Sequence, residues 1–143
     1  MASMNMLSSI KMSAVIALTS ALLAGCASNT TEQRQLELLA SNRASLLMSE
    51  LPLERGALNI VRTSAHANTI EIMMIYNQDA AGAQPIQQIL NRSIQSYCSN
   101  SSVAANMELG IDYRIKMRNS RGQLMVDQII NRETCQTLTP SAN

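Results

Sequence analysis

Phenylalanine and tryptophan are absent from this chain and tyrosine occurs only three times, so any core has to be assembled from Leu, Ile, Val, Met and Ala. With little aromatic area each residue contributes less apolar burial, and a covalent constraint becomes correspondingly more useful. Histidine occurs once, as His66. Without a cysteine cluster beside it, the chain has too few ligands for a zinc centre. The five glycines are scattered and form no phosphate-cradling loop, and neither G-x-S-x-G nor H-E-x-x-H occurs. Asp112, Asp127, Glu71 and Glu108 are the carboxylates a pair across a sheet would draw on, but their positions read as outward charges. His66 sits beside a turn near a strand end, where a solvated imidazole is the ordinary outcome. No catalytic set is expected, and no metal, cofactor or small-molecule substrate. A basic run is missing too: the arginines are dispersed from Arg34 to Arg132 among ten acidic residues, which gives nucleic acid no track to follow.

What the chain does have begins at its N-terminus. Lys11 precedes an apolar stretch, Met12 to Leu23, that is far too short to span a bilayer as a mature helix. It closes on Leu23-Ala24-Gly25-Cys26, which resembles a bacterial lipobox. That resemblance makes residues 1–25 a signal peptide and Cys26 the first mature residue, with a diacylglycerol on its sulfur and a third acyl chain on its freed amine. Each buried methylene contributes about 0.8 kcal/mol, and two or more chains turn marginal membrane binding into stable anchoring. An ordinary secretory signal lying next to a cysteine is the plainer alternative. Ala27 stands where an aspartate would retain a lipoprotein in the inner membrane, so the expected place is the outer membrane, facing the periplasm.

Removing residues 1–25 leaves 118 residues, enough for a single domain with a modest core. Residues 26–31 read as a lipidated N-terminus and a short polar spacer, and residues 32–143 as the domain. Loss of Lys11 balances the mature charges, ten basic against ten acidic. Once Cys26 carries lipid, Cys98 and Cys135 remain in a chain addressed to an oxidising compartment, which is the setting of a disulfide. In the chain-entropy model such a cross-link is worth roughly 3 to 4 kcal/mol.

Thr30 with Gln33 forms a capping-box pattern, and Leu36, Leu39, Ala40 and Leu47 repeat with helical spacing, which predicts a helix from about Thr31 to Ser49. Leu58–His66 and Thr69–Tyr76 are β-rich runs separated by Ala67-Asn68, a hairpin whose second strand has the look of a central one. Pro85 suits the start of a helix carrying the stripe Ile86, Ile89, Leu90, Ile94, Tyr97 and Cys98. A single helical turn is expected around Val103–Leu109. Ile111, Tyr113, Ile115 and Met117 alternate with charged residues up to Arg118, and Asn119-Ser120-Arg121-Gly122 turns the chain into a strand over Gln123–Ile130, with Leu124, Val126 and Ile130 on one face. A short helix or coil over Asn131–Leu138 returns Cys135 toward Cys98. The expected class is α+β, with an antiparallel sheet of four strands, five at most. Two hairpins build it, two main helices pack against it, and one disulfide ties it.

Methionines at 48, 73, 74, 107, 117 and 125 offer adaptable apolar surface for a peptide, or equally fill gaps in a core without large aromatics. Met73, Met74, Tyr76, Met117 and Met125 are the candidate partner-binding residues.

Several runs, Glu32-Gln33-Arg34-Gln35-Leu36-Glu37-Leu38-Leu39-Ala40-Ser41, Ile72-Met73-Met74-Ile75-Tyr76-Asn77, Tyr113 to Arg118 and Arg121 to Gln128, together resemble the β-class pilotins of type II secretion. The resemblance covers nearly the whole mature domain. It implies a non-enzymatic outer-membrane lipoprotein that binds the C-terminal segment of the secretin and pilots it to the outer membrane, with the lipid anchor as its hold on the bilayer. Two other readings share parts of the evidence: a structural or cell-wall-associated outer-membrane lipoprotein without secretin binding, and a small periplasmic hydrolase depending on His66 or a carboxylate.

Overall fold

The computed structural model describes residues 24–138. The expected h-region through Leu23 and the tail Thr139–Asn143 lie outside those residues. The chain divides into two units at Gln35/Leu36. In the first, the described residues form the opening turns of helix α1, Ala24–Ser49. Helix therefore runs through residues 27–31, where a spacer was expected, and starts before Thr31.

The second unit holds strands β1 (Leu53–Arg55), β2 (Leu58–His66) and β3 (Thr69–Tyr76), helices α2 (Ile86–Ser99) and α3 (Ser101–Glu108), strands β4 (Asp112–Asn119) and β5 (Leu124–Ile130), and helix α4 (Arg132–Leu138). The five strands form one sheet in the order β1-β2-β3-β4-β5. Both expected hairpins are present, β2–β3 and β4–β5, and β3 is central. The sheet is mixed, however, because β3 and β4 run parallel, pairing Ile70 with Tyr113, Ile72 with Ile115 and Met74 with Met117. An alternating pattern says which face a side chain takes and nothing of strand direction. The α2–α3 segment is long enough for the crossover a parallel pair requires. Three-residue β1 was too short to show in the pattern.

One face of the sheet carries the core. Ile70, Ile72, Met74, Tyr113, Ile115, Met117, Val126 and Ile130 are buried there, joined by Ala40 and Ala44 of α1 and Met107 of α3, and Tyr76 is buried at the end of β3. The Thr63 hydroxyl donates to the Ala44 carbonyl at 2.7 Å, fixing α1 to β2. The expected stripe of α2 packs on the same core. Leu47, expected inside, is 40% exposed, and Ala44 takes that role.

The opposite face is open. Arg114 grips Asp127 with two hydrogen bonds of 2.6 and 2.7 Å, and Lys116 meets Glu71 at 2.8 Å. Glu71 and Asp127 thus neutralise cations beside them, and the Arg114 bonds hold the Asp127 carboxyl below the usual carboxylate range. Leu124 also lies on this side, 46% exposed, contrary to the simple alternation. A register shift between Met117 and Arg118 pairs Arg118 with Leu124 and slips Met125 into the ladder as an extra residue, which reverses the facing of what precedes it.

Candidate functional site

The buried end of the core is built from tyrosines. Tyr97 of α2 and Tyr113 of β4 meet edge to face, 5.4 Å between centroids. The Asn106 amide donates to the Tyr113 hydroxyl at 2.8 Å, so α3 is held to the sheet by a buried polar bond. Burial, with Tyr113 adding to it, pushes the Tyr97 hydroxyl up to about 12. These contacts set α2 and α3 at fixed positions over β4 and β5.

Asn100 ends α2 and starts α3. Its side chain accepts from the backbone N–H groups of Ser102 and Val103 at 3.0 and 3.1 Å. Asparagine is among the strongest N-cap residues, so α3 is a full eight-residue helix where one turn was expected. Beyond it, Gly110 takes φ +96°, and a Cβ there would meet Leu36 Cδ1 at 3.5 Å. The chain then enters β4, with the Asp112 N–H donating to the Asn68 carbonyl and the Asn68 amide donating to the Gly110 carbonyl.

Cys98 at the end of α2 is bonded to Cys135 of α4, with 5.3 Å between Cα atoms. The disulfide expected from the cysteine count is present. It draws the short α4 against α2, and Met107 Sδ lies 3.8 Å from Cys135 Sγ. Between α2, α3 and α4 opens a groove of about 650 Å³, floored by Ile94, Cys98, Ala104, Met107, Cys135 and Leu138. Its rim is polar, with Gln95 and Gln136 beside the Glu108–Arg132 pair at 3.2 Å. An apolar floor with an uncharged or internally paired rim suits an amphipathic segment laid in by its apolar face.

None of the five candidate partner-binding residues lines this groove. Met74, Tyr76 and Met117 are 2%, 1% and 0% exposed, and thus work as core packing. Without Phe or Trp, unbranched methionine fills the space between β3, β4 and the helices. Met73 sits half-buried on the open face of β3, and Met125 is half-buried at the β5 register shift. The groove residues Ile94, Ala104 and Leu138 belong to three helices brought together by the disulfide, the tyrosine contacts and the Glu108–Arg132 pair. The signal available for them was the position of Cys98 and Cys135. His66 is exposed at the end of β2. Among the described residues no group of three His, Cys, Asp or Glu side chains is placed to hold a metal ion.

The family described as type II secretion system (T2SS) pilotin, S protein, matches residues 32–135, from α1 to the second cysteine of the groove. The chain belongs to the type II secretion system pilotin family. The solved pilotin EpsS of Vibrio vulnificus is 48% identical with a TM-score of 0.71, over 75% of this chain and 97% of that one. The pilotin AspS of Vibrio cholerae is 54% identical with a TM-score of 0.69, over 74% and 97%. Lipoprotein YghG of Escherichia coli K12 is 24% identical over 114 residues, 80% of this pilotin and 82% of the relative. No helix among the described residues is long and apolar enough to cross a membrane.

Proposed function

We propose that this pilotin is anchored to the outer membrane by lipid on Cys26, faces the periplasm, and holds the C-terminal segment of its secretin in the groove between α2, α3 and α4. The observation that carries the reading is the family match, which spans α2 and α3 and ends within α4 at Cys135. The lipobox pattern Leu23-Ala24-Gly25-Cys26 and the likeness to a relative named as a lipoprotein support the anchor. Address and grip are separate parts: the lipid determines where the carrier goes, and the groove determines what travels with it. The secretin segment docks as an amphipathic helix, whose loss of freedom is offset by burial of its apolar face against Ile94, Met107 and Leu138. The reaction is association only; no bond of the partner is made or broken.

Substitution Cys26→Ala separates the two parts. In cells it is expected to give a soluble periplasmic protein of normal abundance, with secretin multimers lost from the outer membrane and recovered from the inner membrane. Secretin multimers still assembled in the outer membrane with that variant would overturn the piloting role.

A further inference from the structure

A second, smaller pocket of about 220 Å³ lies where the β1–β2 turn meets the loop before α2. Its apolar wall is Leu58 and Ile89, and Arg55 and Arg92 border it. None of its lining residues is acidic, and among the described residues neither arginine makes an ion pair. The site is also held rigidly. The Tyr76 hydroxyl accepts from the Gln84 N–H at 2.7 Å and donates to the Gln84 carbonyl at 2.5 Å, clamping that residue's backbone from both sides. Yet the Gln84 side-chain oxygen Oε1 is buried and accepts no hydrogen bond among the described residues. A buried acceptor without a donor is costly, and Gln84 borders the same pocket as Arg55 and Arg92.

We infer that this pocket captures the C-terminal carboxylate of a polypeptide, with Arg55 and Arg92 taking the carboxylate and Gln84 Oε1, once its side chain turns into the pocket, accepting the N–H of the last residue. A polypeptide end presents that combination, an anion with an amide donor next to it, and the last side chain rests on Leu58 and Ile89. Guanidinium groups match carboxylate geometry through paired N–H donors, and capture of a terminal carboxylate is a recurrent peptide-recognition mode. The pocket is smaller than those that enclose whole drug-sized ligands, a size suited to one terminal residue. Its lining also neighbours that of the groove along one helix. Arg92 is next to Asn91 and three residues, about 4.5 Å of rise, from Gln95, and both of those line the groove. A segment lying along α2 thus reaches Arg92 with its end. The inference rests on the proposed secretin partner and adds the feature of that partner the site recognises: its free chain end.

The test compares two peptides of the cognate secretin's C-terminal segment, one ending in a free carboxylate and one in an amide, titrated against the full chain in detergent. The free acid is expected to bind about tenfold or more tightly than the amide, the scale of one charge-assisted hydrogen bond. Substituting both exposed arginines, Arg55→Gln with Arg92→Gln, is expected to bring the two peptides to the same affinity without lowering thermal stability. Equal affinities on the unsubstituted protein would overturn the inference while leaving the secretin reading intact. Failure of both peptides to bind a folded protein would overturn both. If instead phosphatidylglycerol vesicles bind in an arginine-dependent way while the peptides are not discriminated, the pocket serves a lipid headgroup and the inference fails.

Discussion

Ala67 holds a φ of 52° at the tip of the β2–β3 hairpin, a left-handed conformation that a Cβ disfavours. The two-residue connection fixes the hairpin register, so the strain persists because the pairing on either side demands it. Ala67→Gly is expected to raise stability by about 0.5–1 kcal/mol, seen as a higher midpoint in thermal unfolding. Tyr97 gives a pH-dependent counterpart. Its hydroxyl stays neutral in the folded state up to about 12, whereas in the unfolded chain it ionises near its ordinary value of 10.0. Stability is therefore fully present below pH 10 and lost as the pH rises through that window, by roughly 2 kcal/mol. Tyr97→Phe is expected to flatten this alkaline loss in urea titrations carried out at pH 9 and pH 12. The methionines show where reading residues one at a time stops. Met117 fits a gap-filling role and a binding role equally well as a sequence letter; only its complete burial in the sheet decides for packing. Met117→Ala should cost about 2–5 kcal/mol by denaturant midpoint.

The elements were legible where a local device sets them. The hairpin strands β2 and β3 follow from β-branched runs bounded by a two-residue turn, and β4 from strict alternation. α3 was only half legible: Asn100 lies in a polar run that reads as loop until its side chain is seen capping two N–H groups. Asn100→Ala is expected to remove about 1 kcal/mol, checked by chemical unfolding, with the loss confined to the helical signal of α3 in hydrogen exchange. Leu124 escaped because a single extra residue at Met125 reverses the alternation, and a sequence does not mark which residue a ladder will skip. The groove is a product of element placement. Ile94, Ala104 and Leu138 carry no shared period, and they converge because the Cys98–Cys135 bond joins two helices 37 residues apart in sequence. Replacing both cysteines by serine is expected to lower stability by roughly 4 kcal/mol in the chain-entropy model and to free α4, with loss of partner binding at temperatures where the sheet remains folded.

At the scale of the whole molecule, strand direction was the feature the sequence did not disclose. Two hairpins separated by helices are compatible with an antiparallel sheet or with the observed parallel β3–β4 junction, and the facing pattern is the same in both. That junction determines the layout: it places α2 and α3 in the crossover, and their position on one face leaves the other face of the sheet to paired charges. The groove then lies at the helical side, away from the methionine-rich strand positions that composition alone singled out. Under the proposed function this groove, and not the open sheet face, takes the secretin's C-terminal segment. Leu138, in the groove lining, is 52% exposed, so a charge there disturbs the groove without being buried in the free protein. The most direct measurement is calorimetric titration of the Cys26→Ala protein with the cognate secretin peptide, repeated with Leu138→Glu added. Saturable binding with a negative heat-capacity change is expected, weakened about tenfold or more by Leu138→Glu, the scale of roughly 1.4 kcal/mol, with thermal stability unchanged. Saturable binding of equal strength to both proteins, or none to a folded protein, would contradict it.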